Sequence, residues 1–443
     1  MRGQHRIVAG VVDAGLSSLA TFIVGFYATR NLEPAILGAY ALAFSVFVLS
    51  GLISAMLVFT PTEIAAVDYP RGHQLQLLRQ SLMRGSIVSL LAAVATSAWI
   101  LIAPAELDRA ALSALVVSGA GAAFLSPLQD HLRRMLHLAH ESWRSVAVAI
   151  VQILATLVAI VVLAGLEVDA PIVPFGALIM ANAASLSVGL LLSSRDLLAP
   201  TTEESVSRER LLRSGRPLLA VGLVPSVTTF VVSWLVTTIA GSATLGYVHA
   251  ARIVSQPVAV LQKGLGSVLG PRATRAASQR DQAALSRVTR LFGGLIIVAG
   301  AFWMAAVAIP APWNVLPEVL PLAYVVPGLV AAAIIAFTIQ SLSAARRFEM
   351  YGAAKEKSAV KTEVQGNVVR LCLALFAGVI GPFVVPIGLA TLGVIRLIRY
   401  GRTLREYYGT PAPAGAGARG GSAPADDLHE VATAEGDRTN LRV

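Results

Sequence analysis

Long apolar runs alternate with short polar, arginine-rich breaks from one end of the chain to the other. A run of about 17–25 apolar residues is the length at which a helix crosses a bilayer. On that criterion the chain predicts twelve helices, near 7–29, 37–60, 84–103, 110–129, 145–166, 172–193, 216–239, 246–270, 291–310, 320–342, 363–381 and 383–400. The breaks alternate in charge: those on one side carry twenty-one Lys and Arg, and those on the other carry only Arg30 and Arg109, beside Glu33, Glu106, Asp108, Glu167, Asp169 and Glu318. Cytoplasmic loops hold the basic excess. The expected molecule is an all-α polytopic membrane protein of twelve transmembrane helices with both termini in the cytoplasm.

The pattern also repeats. Residues 18–46 and 226–254, laid 208 apart without a gap, agree at Ser18/Ser226, Thr21/Thr229, Phe22/Phe230, Thr29/Thr237, Leu37/Leu245 and Gly38/Gly246, among others. Leu128-Gln129 and Ile339-Gln340, each followed by a basic stretch, pair at an offset of 211. Two copies with an even number of spans share one orientation and are related by an axis along the membrane normal. The chain therefore divides into an N-terminal six-helix lobe (1–193), a cytoplasmic linker (194–215), a C-terminal six-helix lobe (216–400) and a tail (401–443). The linker has the charge pattern of a short surface helix from Glu203 to Arg213. The Gly-, Ala- and Pro-rich tail cannot bury a core and is expected to be disordered.

Composition agrees. Of 443 residues 56% are hydrophobic and 14% charged, which leaves too little polar surface for a soluble globule. The net charge of +10 follows from basic cytoplasmic loops against anionic membrane lipids and implies no nucleic acid. Cys372 stands alone, excluding an intramolecular disulfide. No Walker loop, His-Glu-x-x-His or nucleophile elbow occurs, so no catalytic residue, metal or cofactor is expected. The external loops are too short for a glycosyltransferase or glycan polymerase.

Polar residues inside the spans are the candidate chemistry. His249, Arg252, Gln256 and Lys263 fall on one face of the eighth helix, facing a water-filled cavity if they do not pair with acids or snorkel to the interface. Arg370 in the eleventh helix is a second candidate cavity cation. Thr229 and Ser233 of the seventh helix, with Ser226 and Thr237, and Ser17 and Thr21 of the first, either bond sugar hydroxyls or serve helix packing. Asp13 is either an ion-coupling site or the partner of a nearby arginine. The excess of cations over acids points to an anionic substrate, and a phosphate-bearing one fits.

Gly15-Leu-Ser-Ser-Leu-Ala-Thr-Phe, the turn Leu32-Glu-Pro-Ala-Ile-Leu-Gly-Ala-Tyr with its echo Leu245-Gly-Tyr-Val-His-Ala-Ala-Arg, Pro271 with Arg272, and Gln129-Asp-His-Leu-Arg-Arg carry a resemblance. Over roughly residues 5–400 the chain resembles the polysaccharide-biosynthesis flippases of the multidrug/oligosaccharidyl-lipid/polysaccharide (MOP) exporter superfamily. The resemblance implies a MATE- or MOP-like pair of six-helix lobes around a V-shaped cavity, which moves an undecaprenyl-pyrophosphate-linked glycan across the bacterial plasma membrane by alternating access. It also implies that Arg252, Lys263 and Arg370 hold the pyrophosphate, with glycan-assembly enzymes as partners. A multidrug antiporter of the same fold, dependent on Asp13, and a non-transport component of a glycan-assembly complex are the alternatives.

Overall fold

The computed structural model describes residues 2–66, 69, 71–102, 109–194, 208–309 and 316–409. Glu106, Asp108, Arg195, residues 203–207 of the expected surface helix and the tail beyond Gly409 lie outside the described residues. Within them, twelve long helices follow one another: α1 (Arg2–Asn31), α2 (Pro34–Ser54), α3 (Arg71–Ile102), α4 (Arg109–Leu138), α5 (Ser142–Gly165), α6 (Ile172–Leu192), α7 (Arg208–Ala240), α8 (Ser242–Ser278), α9 (Gln282–Ala308), α10 (Leu329–Gly352), α11 (Glu356–Ala374) and α12 (Val384–Gly409). A π-helical turn, Ala55–Phe59, and a short helix, Thr60–Ala66, prolong α2. Ten helical stretches among the described residues are long and apolar enough to cross a membrane, and only α8 and α11 contain none of them. Val117, Leu154, Val161, Val298 and Phe302 point outward as an exposed apolar girdle suited to hydrocarbon. The protein is a multi-pass membrane protein.

Helix limits differ from the apolar runs where the backbone has its own demands. The tenth helix starts at Leu329, not near 320, because Pro327 precedes Gly328 in a left-handed conformation (φ 80°). The residues before it form a short helix, Leu316–Val319, and a 3-10 turn, Leu322–Tyr324. The eleventh ends at Ala374 rather than 381, and a reversal at Gly381 (φ 60°) leads into α12. α7 begins at Arg208, inside the stretch assigned to the linker, and α12 runs on to Gly409, past 400. Charged residues mark the ends of apolar runs without ending a helix, whose backbone bonds continue into water.

Much of the helix packing repeats between the two halves. In the first the neighbours include α1–α5, α2–α3, α2–α4, α3–α4, α4–α6 and α5–α6, and in the second α7–α11, α8–α9, α8–α10, α9–α10, α10–α12 and α11–α12. Each of these pairs has its counterpart six helices later, whereas α1–α6 and α7–α8 have no comparable one. Between the lobes the contacts are α1–α8, α2–α7 and, on the pseudo-twofold, α2–α8. There the repeated Leu-Gly finds its explanation: a Cβ on Gly38 would overlap the Ser242 carbonyl, and one on Gly246 the Pro34 carbonyl. Only glycine lets two backbones approach so closely.

At the same end of the bundle the Tyr324 hydroxyl donates to the Leu32 carbonyl and the Arg30 guanidinium to the Glu318 carbonyl, tying the lobes together. A core containing Val24, Leu37, Tyr40, Phe175, Ala250, Val254 and Tyr324 continues across the junction. Toward the other end, α7 lies on the π-helical turn, with Gly215 against the backbone of Met56 and Leu57. The stretch of α8 at the 208-residue offset from that turn is ordinary helix, so the repeat symmetry breaks here.

Candidate functional site

α7, α8, α10, α11 and α12 surround a cavity, and Ala41 and Ser45 of α2 line its remaining side. Arg252, Thr229, Ser45 and Arg396 lie ten to twelve residues from the helix ends at the α1–α2 turn. At about 1.5 Å per residue that is about 15–18 Å, the middle of a hydrocarbon core about 30 Å thick. A polar chamber at this depth is costly to maintain without something to bind.

Three guanidinium groups line it. Arg252 is exposed to the cavity although protein surrounds it, and its chief electrostatic neighbour is the neutral Tyr40 hydroxyl. Arg370 is buried and donates from Nη1 to the Thr229 hydroxyl at 3.2 Å. It lies within repulsive range of both Arg252 and Arg396. Arg396 of α12 donates to Glu363 at 2.5 Å, and Glu363 also accepts from Arg347 at 3.2 Å and from the Tyr400 hydroxyl at 2.9 Å. One carboxylate therefore answers one of the three cavity cations, and that carboxylate is itself shared with Arg347.

Neutral groups complete the wall. His249 stands edge-on to Tyr40, with ring centroids 5.5 Å apart, on the aromatic floor formed with Phe44 and Phe175. Thr229 and Ser233 donate to the carbonyls one turn back, Pro225 and Thr229, both at 2.9 Å, leaving oxygen lone pairs toward the cavity. Gln340 and Asn367 add side-chain amides. Among the described residues, His249 Nε2, Gln340 Oε1, Asn367 Oδ1, Arg370 Nε and Arg396 Nε are all buried without a hydrogen-bond partner. Buried polar atoms are rarely left so, and five at one cavity describe a surface prepared for a polar guest.

Arg252, Arg370, His249, Thr229 and Ser233 thus come together, whereas Gln256 and Lys263 do not join them. Lys263 shares a face of α8 with Arg252 but lies eleven residues on, about 16 Å along the axis, where it is exposed and senses Asp130 of the other lobe. Arg396, Asn367 and Gln340 are additions to the residues read from the sequence. Arg396 carried the same signal as Arg370, an arginine within an apolar run, and Asn367 lies one helical turn before Arg370.

Asp13 is elsewhere, inside the first lobe. Arg133 donates to it through Nε at 3.0 Å and Nη2 at 2.6 Å, and His137 Nε2 and the Ser145 hydroxyl lie 3.0 and 3.1 Å away. Ser17 and Thr21 continue its helix, and Thr21 donates back to the Ser17 carbonyl. A second pocket in this lobe is lined by Glu63, Asp130, His131 and Arg134, among others. Its charges pair locally: Glu63 with His131 at 2.8 Å and Arg134 at 3.6 Å, Asp130 with Arg133 at 3.3 Å. Among the described residues no group of three or more His, Cys, Asp or Glu side chains could hold a metal ion.

The architecture has known counterparts. An inward-facing multidrug resistance MATE family transporter of the MOP superfamily superposes with a TM-score of 0.68 at 16% identity, covering 89% of this chain and 96% of its own. The fold is that of the MATE transporters. An outward-facing transporter of that family gives 0.57 at 17% identity, covering 92% and 97%. A MOP superfamily transporter from Pyrococcus furiosus, described by a reverse polarity of its binding pocket that suggests a different function, gives 0.60 at 16% identity, covering 92% and 96%. No protein-family model matches the sequence, and no curated protein matches it.

Proposed function

We propose that this protein is a flippase that carries a lipid-linked oligosaccharide or polysaccharide precursor, joined to its carrier through pyrophosphate, across the bacterial plasma membrane. In this reading all twelve long helices span the bilayer, both termini are cytoplasmic, and the α1–α2 turn faces outside. The observation that carries it is the meeting of Arg252, Arg370 and Arg396 at mid-membrane, where only Arg396 has a carboxylate partner, Glu363, among the described residues. Subtracting the Glu363 charge from the three cavity guanidinium groups leaves a surplus of about two positive charges, which matches the two negative charges of a diphosphate diester. The inter-lobe contacts at the α1–α2 end and the higher TM-score with the inward-facing relative support a cavity reached from the cytoplasmic side. The headgroup occupies the cavity, the lipid tail stays in the bilayer, and rocking of the lobes presents the site to either face.

The test is reconstitution. Proteoliposomes containing the protein move a short-chain glycan-diphosphate lipid between leaflets, and Arg252→Ala vesicles do not; an unchanged leaflet distribution in both rejects the assignment. The multidrug antiporter of the same fold is the second reading, since solved structures of this fold are multidrug resistance transporters. It predicts drug hypersensitivity on deletion, with cationic drugs as cargo, and a cavity of surplus positive charge repels these.

A further inference from the structure

We infer that Asn367 is a specificity-determining acceptor, so that the cavity selects a carrier diphosphate bearing a sugar over the same diphosphate without one. The inference rests on the proposed function and adds a second contact point to it. Arg252, Arg370 and Arg396 can serve only an anion, because a guanidinium donates and never accepts. Asn367 is different. Its Nδ2 donates to the Glu363 carbonyl at 2.8 Å, which settles which way the amide faces. Oδ1 is left as an acceptor, buried and without a donor among the described residues, on a side chain that lines the cavity.

The residue is only 2% exposed, so water does not readily satisfy that oxygen, and it lies one turn from Arg370, itself 6% exposed with an idle Nε. Gln340, across on α10, also lines the cavity and has an unpartnered Oε1. A phosphate oxygen cannot bond to either amide oxygen, since both are acceptors. An adjoining hydroxyl or acetamido N–H can. A guest that satisfies the whole wall is therefore an anion joined to a hydrogen-bond donor, and a bare diphosphate leaves the Asn367 oxygen unpaired at the cost of a buried orphan.

The experiment measures binding to the purified full-length protein in nanodiscs with two probes, a short-chain prenyl diphosphate and the same compound carrying one N-acetylhexosamine on its terminal phosphate. The wild-type protein is expected to bind the glycosylated probe about tenfold tighter, about 1.4 kcal/mol. Asn367→Leu is expected to lose that preference, read as the ratio of its affinities for the two probes. Asn367→Asp, which retains an acceptor but adds a negative charge, is expected to weaken both probes and keep the preference. Equal wild-type affinity for the two probes overturns the inference while leaving the anionic cavity intact, and needs no variant to fold. Failure of both probes to bind the wild-type protein overturns the proposed function as well.

Discussion

Gly38→Ala puts the simplest strain on the junction between the lobes. The added methyl overlaps the Ser242 carbonyl carbon and oxygen, which are backbone and have no rotamer to escape into. Forcing an atom into a packed junction costs about 1–3 kcal/mol, so the closed contact at the α1–α2 end loses between about fivefold and about a hundredfold in population. Because the clash disappears once α2 and α8 part, the molecule relieves it by opening there. Gly246→Ala meets the Pro34 carbonyl in the same way and is relieved by the same movement. The double variant should thus cost less than the two single ones together.

Spin labels at Asn31 and Leu322, exposed positions in different lobes at this end, report the opening as a longer distance; Cys372 is first replaced by Ser because it is exposed and would be labelled too. Gly294→Ala, whose methyl meets nothing within 4 Å, is the control and leaves the distance unchanged. If folded Gly38→Ala and Gly38→Val proteins keep the wild-type distance, the glycine crossing does not hold the lobes together.

Three further outcomes separate function from stability. Arg252→Ala should abolish the proposed transport while shifting thermal unfolding little, since that side chain has no ion-pair partner among the described residues to abandon; a large loss of stability would mean that it holds the fold. Arg133→Ala should do the opposite, destabilising by about 3–5 kcal/mol because Asp13 keeps only His137 and Ser145, and the neutral pair Asp13→Asn with Arg133→Gln should recover much of the loss in a double-mutant cycle. Glu363→Gln should tighten the binding of inorganic pyrophosphate by freeing Arg396, with a steeper weakening by salt; an unchanged affinity would show that Glu363 does not offset the cavity charge.

The helix pattern was legible because apolar run length is written in local residue types, and the echoed glycines at 38 and 246 lie where α2 and α8 cross. The ends of α10 and α11 were less so, since Gly328 and Gly381 act through backbone conformation rather than hydropathy. The π-helical turn in α2 left no mark in hydropathy, being built from Ala-Met-Leu-Val-Phe. Arg252, Arg370 and His249 were found because a polar group in an apolar run stands out. Their assembly with Arg396, Asn367 and Gln340 depends on how α8, α10, α11 and α12 pack, which no single stretch of sequence records.

Comparing the two copies shows where function departed from scaffold. At the 208-residue offset, His249, Arg252, Gln256 and Lys263 of α8 correspond to Ala41, Phe44, Val48 and Ala55 of α2. The first lobe answers its interior charges locally, Asp13 with Arg133 and Glu63 with His131. It also closes its interior amides into a chain, with Gln129 donating to Gln152, Gln152 to Asn182 and Asn182 to Ser126. In the second lobe Gln340, the offset partner of Gln129, has an acceptor left over at the cavity. A bundle held together only for stability gains nothing from unanswered polar atoms at mid-membrane, because each costs free energy in the empty state. The first lobe leaves such atoms too, at Thr60, Gln74, Gln80 and Ser89, but none of them lines its pocket; the convergence of five on one cavity of the second lobe is what a polar guest there would account for.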